Sequence, residues 1–575
     1  MAMPKEELSL HHDEHGVHHS KAREKFSLYN YGIVLCVSCS SLATGMVNGM
    51  INTTLGQPSF LLYFGFLHQT KSNTPLIGTI LGVFFASAIF GCAWASYSSD
   101  KIGRKKTVLI AAIISIVSTA LVAGSVHIAM LIIFRGCSGF ASGAYMSVGS
   151  LLQSELAPPR YRGLMVGLVG VMISFGYVFA NWLGVAFYFV EAGGVQWRIP
   201  FAICTAPSFL TIFLLPVIPE SPRWLVMKNR TDEARAVISK LHGHHDDEGH
   251  EFAELEVKQM VDQISFENQH QMGWWELLLS KRYRKRFILT IITQSMSQSA
   301  GIVVIASYGP TIYASLGFGT VGQLSITAGY VTFGAITATL GTLLIDSLGR
   351  VPLLAIGTAI QIALIVVVTP LIVKYAGTAH EAPQRAIVAM FYIFELGYCM
   401  FVEGASYTYV SEMWPAHLRA KGSALGVASI YLVDTIYVEA SLYAFVSIGW
   451  KFYLVFIVAG VFFLTVFLLL AKETKGKPLE EIAGLFGDQV AAETLENLIL
   501  THDTVLEETK EIPKGSVMMS LGMNVPSINA EGSAPRTFKQ WIIPEELDSD
   551  FPQRAFLMYA SLMVANSCSP YNEED

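Results

Sequence analysis

The sequence predicts an all-α membrane protein in which twelve transmembrane helices form two pseudo-symmetric six-helix bundles. Three observations carry that expectation. Only 14% of the residues are charged and 52% are apolar, whereas an ordinary soluble chain is about 25% charged. The apolar residues gather in twelve runs of bilayer length. Three charged motifs recur at matching places in the two halves of the chain.

The runs follow from the thickness of a bilayer, whose hydrocarbon core of about 30 Å needs about 20 apolar residues per crossing. Spans 1 to 6 are residues 29–51, 75–97, 107–125, 127–151, 164–189 and 199–218. Spans 7 to 12 are residues 287–314, 324–345, 351–374, 386–411, 422–446 and 450–471. Backbone groups in lipid must be paired within their own segment, so the runs are helices. Short alternating segments of the kind that build a membrane β-barrel do not occur.

The charge lies mostly in residues 1–28, 220–286 and 472–575. This excludes an ordinary soluble enzyme, a disordered scaffold and a nucleic-acid binder with a basic face. The expected organisation is a His-rich tail (1–28), a first bundle (29–218), a loop with helical patterns around 231–241 and 251–269 (219–286), a second bundle (287–471) and a largely disordered tail (472–575). The apolar run around 555–565 is too short to span. Residues 1–28 lack the apolar core of a signal peptide. Six of the seven cysteines fall inside spans, which argues against structural disulfides.

Lys and Arg concentrate in alternate loops: Lys101, Arg104, Lys105 and Lys106, then Arg160 and Arg162, then Arg350, then Arg419 and Lys421. By the positive-inside rule these loops and both termini are cytoplasmic. The expected location is the plasma membrane. The basic run Lys281 to Arg286 reads as a lipid-headgroup anchor beside span 7.

The halves repeat one another. Asp100-Lys101-Ile102-Gly103-Arg104 follows span 2, and Asp346-Ser347-Leu348-Gly349-Arg350 follows span 8. Glu155 and Arg162 follow span 4 as Glu412 and Arg419 follow span 10, with the same separation. Pro219-Glu220-Ser221-Pro222-Arg223 follows span 6, and Lys472-Glu473-Thr474-Lys475-Gly476 follows span 12. Duplicated halves around a central site are a transporter architecture.

With Arg135, Gly136 and Gly139, and with Glu473 to Glu481, these motifs resemble the sugar porter family of the major facilitator superfamily, in its fungal pattern. The resemblance covers about residues 29–486. It implies the major facilitator fold and transport of a sugar or polyol by alternating access. It also implies a charged latch of Asp100, Arg104, Glu155, Arg162, Asp346, Arg350, Glu412 and Arg419, with Glu155, Arg162, Glu412 and Arg419 able to pair across the bundles. The plainer reading of these charges is that they only fix topology.

The substrate positions depart from the family. The Gln-Gln place of span 5 is Val169-Gly170, and only Gln298 of the span 7 pair Ser297-Gln298 survives. The Asn place after Gly301 is Val303, and the Tyr pair reads Ser307-Tyr308. The span 8 Asn falls near Gly334, and the span 10 Trp is Tyr407, with Tyr409 beyond it. In span 11 Ile430-Tyr431 replaces Asn-Trp, and the later Asn is Asp434. Losing one hydroxyl partner in a dry site costs about 1–3 kcal/mol, so the loss of four or five should abolish ordinary hexose recognition unless Asp434 and others rebuild it. The coupling acid of proton symporters in span 1 is replaced within Gly45-Met46-Val47-Asn48-Gly49, although its usual partner Arg135 remains.

Intramembrane acids appear elsewhere, at Glu395, Glu403, Asp434 and Glu439. They suit either a proton relay or direct contacts to a polar or cationic solute, unless Glu395 and Glu439 merely reach water at helix ends. Glu395, Cys399, Glu403 and Tyr407 are spaced by four and share a helix face.

The expected substrate-facing set is therefore Gln298, Tyr308, Glu403, Tyr407 and Asp434. No catalytic residue, cofactor or metal site is expected. His11 to His19 and His242 to His250 are weak candidates for zinc. Gly139 and Gly143 suit close helix packing, and the sequon at Asn52 lies too near the membrane for use. The expected partners are a small-molecule substrate, the lipid bilayer and protons as a candidate coupled ion, with a monomer as the working unit. Two other functions fit the scaffold: export of another organic solute such as a fungal secondary metabolite, and a non-transporting nutrient sensor acting through the long C-terminal tail.

Overall fold

A helix occupies every predicted run. The computed structural model describes residues 28–66, 74–156, 162–190, 194–242, 280–378, 380–415 and 418–475. It also describes positions 254, 257, 258, 260, 261, 264, 273, 276, 277, 477, 482 and 484–486. The tail behind the sensor reading lies outside the described residues beyond 486, as do His11 to His19, His244, His245 and His250.

Span 1 is Leu28–Thr54, span 2 Thr74–Ile102, span 3 Arg104–Ala123, span 4 Ile128–Leu156 and span 5 Arg162–Tyr188. Span 6 is Val195–Ile203 continued by Ala206–Leu214. A loop carrying the short helices Pro222–Met227 and Thr231–His242 leads to the second half. Span 7 comes in three pieces, Arg284–Ser299, Ile302–Ser307 and Gly309–Ser315. Span 8 is Thr320–Leu348, span 9 Arg350–Tyr375, span 11 Arg419–Ser447 and span 12 Phe452–Leu470. Span 10 is Glu381–Leu396, a π-helical stretch Gly397–Glu403, and Gly404–Met413.

Among the described residues, ten helices are long and apolar enough to cross a membrane. The first break in span 7 is at Gly301, whose φ of +95° an L side chain rarely adopts.

By internal contacts the chain divides into a large unit, running to Leu464 and including Glu473–Lys475, and a small unit of Thr465–Lys472 with the residues after 475. In the small unit Lys472 Nζ donates to the Leu485 carbonyl at 2.9 Å.

Within the large unit, helices approach where side chains vanish. A Cβ on Gly91 would meet the Phe140 carbonyl. One on Gly139 would meet the Phe84 carbonyl, and one on Gly143 the Ala88 carbonyl. Spans 2 and 4 therefore touch backbone to backbone, as small residues allow in lipid.

The two halves meet along two seams. Span 2 lies on span 11, with Phe85 and Tyr431 rings 6.2 Å apart and Glu439 packed on Gly78 and Gly82. Span 5 lies on span 8, where Trp182 Nε1 donates to Thr332 Oγ1 at 2.9 Å. Asn52 is buried and so closed to a glycan. In the basic run before span 7, Arg286 is also buried, against the Tyr283 ring, because that aromatic face holds its guanidinium. The headgroup-anchor expectation therefore fails for Arg286, whereas Lys281, Arg282, Arg284 and Lys285 are exposed.

Gly143→Ala should lower the melting temperature of the detergent-solubilised protein, at an overpacking cost of about 1–3 kcal/mol. Gly170→Ala, where an added Cβ meets open space, should leave it unchanged or raise it. Equal effects in the two melts would refute the close-packing account of spans 2 and 4.

Candidate functional site

Two turns repeat each other atom for atom. Gly103 (φ 101°, ψ 159°) and Gly349 (φ 94°, ψ 161°) end spans 2 and 8 in a conformation only glycine enters freely. Each is followed by an arginine that opens the next helix. Arg104 gives Nε and Nη2 to the two oxygens of Glu155, both at 3.0 Å, and Nη1 to the Ser99 carbonyl at 3.1 Å. Arg350 gives Nη2 to Glu412 at 2.8 Å, Nε to the same carboxylate at 3.1 Å, and Nη1 to the Ile345 carbonyl at 3.3 Å.

A second glutamate caps each helix that starts there. Glu220 accepts from Arg104 N at 3.1 Å and Lys105 N at 3.3 Å. Glu473 accepts from Arg350 N at 3.0 Å and Val351 N at 2.9 Å. A carboxylate there satisfies free helix N–H groups and meets the positive end of the helix dipole. Thr474 Oγ1 adds a 2.6 Å bond to Glu412.

Each clamp lies within its own half, so in the described pairs Glu155 and Glu412 do not reach partners across the bundles. The reason is reach: each guanidinium stands at a glycine turn directly beside its own half's glutamate. Asp100 pairs with Arg104 at 3.1 Å and is otherwise exposed. Arg419 opens span 11. The side chains of Arg162 and Asp346 lie outside the described residues, although their backbones belong to spans 5 and 8. Glu220 and Glu473 were visible in the repeated motifs but not assigned to the latch, because capping depends on where a distant loop lands.

At the centre, Arg135 is buried and has no carboxylate partner among the described residues. Nη1 donates to the Val47 carbonyl at 2.6 Å and Nη2 reaches Asn48 Oδ1 at 3.4 Å. Its guanidinium lies 4.2 Å from the Phe84 ring centroid. A carbonyl, an amide and an aromatic face stand in for the missing acid. Asn48 Nδ2 in turn donates to the Tyr177 hydroxyl at 2.5 Å. Tyr177 is within electrostatic range of Arg135 on one side and of Asp434 and Glu403 on the other. The hydrogen-bonded part of this group, Arg135, Asn48 and Tyr177, lies in the first half.

Four of the five expected substrate-facing residues come together in the second half. Gln298 Nε2 donates to the Tyr398 hydroxyl at 3.0 Å. Tyr398 is near Glu403, Tyr407 and Asp434. Tyr407 is near Glu403, Asp434, Tyr177 and Cys92. Tyr431 closes the group beside Tyr407 and Asp434. Glu403 Oε2 and Asp434 Oδ1 are buried without a hydrogen-bond partner among the described residues.

The fifth, Tyr308, stands apart. Its hydroxyl donates to the Val438 carbonyl at 2.9 Å, because span 7 presses it against the backbone of span 11. Glu395, Cys399 and Glu403 do stack, with Cys399 Sγ 3.5 Å from Glu395 Oε1, but Glu395 reaches span 8 beside Gly334. Span 10 is π-helical where it presents Tyr398, Cys399 and Glu403, a deviation common at functional sites. Asn48, Tyr177 and Tyr398 escaped sequence reasoning, since a tyrosine or asparagine in an apolar run carries no directional signal.

The family model described as "Sugar (and other) transporter" matches residues 33–486. The chain is 31% identical over 465 residues to the MFS-type transporter criB of Aspergillus cristatus, covering 80% of this chain and 94% of that protein. It is 27% identical to the arabinose-proton symporter of Bacillus subtilis, covering 80% and 96%. Its fold is similar to that of the xylose transporter XylE bound to 6-bromo-6-deoxy-D-glucose, with a TM-score of 0.69, 21% identity, and 80% and 100% of the chains covered. The partially occluded inward-open XylE from E. coli gives a TM-score of 0.67 at 20% identity, covering 79% and 100%.

Arg104→Met should destabilise the protein by about 3–5 kcal/mol, because Glu155 is then a buried charge without its partner. Adding Glu155→Met should restore much of the lost melting temperature. Losses that simply add in this thermal double-mutant cycle would contradict the clamp.

Proposed function

Because this chain belongs to the sugar (and other) transporter family, we propose that it carries a sugar or polyol across a membrane by alternating access between its two six-helix halves. The observation that carries the reading is the polar cluster of Gln298, Glu403, Tyr407 and Asp434, set where the halves meet in a fold shared with xylose transporters.

The cluster suits hydroxylated solutes. A carboxylate accepts from hydroxyl groups, so Asp434 takes over the place of an Asn in the family's pattern and Glu403 adds an acceptor that pattern lacks. Tyr407 and Tyr431 offer aromatic faces to the apolar side of a sugar ring. Gln298 supplies the amide. The half-restricted clamps support a rocking motion in which each half moves as a body and the central contacts change.

Any proton coupling runs through Glu403 and Asp434. Val47 cannot ionise, and Arg135 is already held by a carbonyl, Asn48 and Phe84. The groups around the two acids are Glu395, Cys399, Tyr398 and Tyr407 on span 10, Tyr431 on span 11, and Tyr177 from the first half. The chain is a multi-pass membrane protein, and the Lys and Arg bias supports both termini inside; its place in the plasma membrane and its working as a monomer are part of the proposal.

Purified protein in vesicles should move at least one member of a panel of pentoses, hexoses and polyols, and Asp434→Asn should cut that flux about 5- to 150-fold, the rate equivalent of one lost charged contact. An imposed proton gradient should accelerate uptake. Glu403→Gln should abolish the acceleration while solute exchange at equilibrium persists. No flux of any panel member would overturn the substrate reading, and uptake indifferent to the gradient would overturn coupling.

A further inference from the structure

The outer face of the first clamp carries a feature that solute transport does not use. The end of span 2, the start of span 3 and the helix Pro222–Met227 enclose an open groove of about 720 Å³. Lys101, Lys106 and Lys228 border it, and Leu109, Ile110 and Trp224 line it. All three lysines are exposed. None is ion-paired among the described residues, and the nearby carboxylates are engaged: Asp100 on Arg104, and Glu220 on the start of span 3. Lys101 Nζ lies 5.5 Å from the Tyr97 ring centroid and Lys228 Nζ 5.9 Å from that of Trp224. The aromatic rings thus lie beside the ammonium groups without neutralising them.

An apolar lane leads away from this groove along the spans. Phe90 and Tyr97 on span 2 are 69% and 66% exposed, and Ile110, Ile113 and Val117 on span 3 are exposed beside them. Their spacings of seven, three and four place each set on one helix face. In a membrane that face meets acyl chains, and the groove lies at the level where headgroups begin.

We propose that this groove binds the headgroup of an anionic phospholipid from the adjacent leaflet, with its chains along spans 2 and 3. Three uncompensated ammonium groups suit a phosphodiester of net negative charge. A zwitterionic choline headgroup would bring its own cation against them. Inorganic phosphate would match the charge but leave the apolar lane uncovered. The site also joins two parts of the chain, since Lys101 and Lys106 flank the glycine turn while Lys228 belongs to the loop between the halves. Trp224 Nε1 already donates to the Asp100 carbonyl at 3.1 Å across that junction. A bound headgroup adds a second tie and stabilises the turn that holds Arg104 on Glu155.

The test is thermal melting of the full chain in detergent micelles, titrated separately with phosphatidylglycerol, phosphatidylcholine and inorganic phosphate. Phosphatidylglycerol should raise the melting temperature, and the other two should not. Lys101→Gln, Lys106→Gln and Lys228→Gln together should remove the response, with apparent affinity falling about fivefold per lysine. The matching Lys→Arg triple variant should keep it. The single Lys106→Gln and Lys228→Gln variants, each retaining two lysines, should show the intermediate step. No response of the wild type to phosphatidylglycerol, an equal response to inorganic phosphate, or single and triple Gln variants that respond like the wild type would each overturn the proposal.

Discussion

Two buried ion clamps, Arg104 on Glu155 and Arg350 on Glu412, are what the arrangement of helices rests on. A guanidinium at the mouth of a helical bundle must find acceptors or carry the full cost of lost hydration. Each arginine meets that demand three times over, through a carboxylate, a backbone carbonyl of the preceding helix, and a glycine turn that places it there. Each also opens a helix whose N–H groups a second glutamate caps. Four elements of one half are thereby tied at a single point: spans 2, 3 and 4 with the stretch after span 6, and spans 8, 9 and 10 with the stretch after span 12. The same construction at both points, down to a carbonyl five residues before the arginine, is the clearest structural sign of a duplicated half.

The centre obeys the opposite economy. Arg135 is held by neutral acceptors and a ring, while Glu403 and Asp434 keep oxygens without partners. The first half thus contains a cation whose two Nη groups are bonded while its Nε is not, and the second half acids with open oxygens. Tyr177, bonded to Asn48 and within electrostatic range of Glu403 and Asp434, stands between the two. Acids left open in a hydrocarbon setting are costly. Their cost is tolerable where a hydroxylated solute, water or a proton completes them, and this is why the site reading centres on span 10 and span 11. The π-helical turn from Gly397 to Glu403 offsets the helix at the same place, packed where Gly357 on span 9 leaves room for it.

Much of this was legible in the sequence, and the missing parts share one character. The twelve runs, the turn motifs and the suitability of Gly139 and Gly143 for close helix packing follow from composition and local spacing, whereas the partner, span 2, is seen only in the structure. The break at Gly301 was not legible, since span 7 reads as one run over 287–314 although its glycine permits the turn. Which charge meets which was not legible: Glu155 stands seven residues from Arg162 yet binds Arg104, because contact across helices depends on how spans rotate against each other. Tyr308 is expected as a substrate contact and instead spends its hydroxyl on Val438, whereas Tyr398, which no motif singles out, holds Gln298. The π-helical register likewise depends on packing against span 9, which no pattern within span 10 encodes.

The most direct test of the account is a pulsed spin-label distance measurement on the reconstituted protein. One pair of labels, at 63 after span 1 and 106 at the start of span 3, lies inside the first half, and another at 106 and 351 joins the two halves. Rigid halves rocking about the central cluster predict one narrow distance for the first pair and two resolved distances for the second, redistributed by a transported solute. A first pair that broadens as much as the second, or a second pair that stays single and fixed, would contradict it.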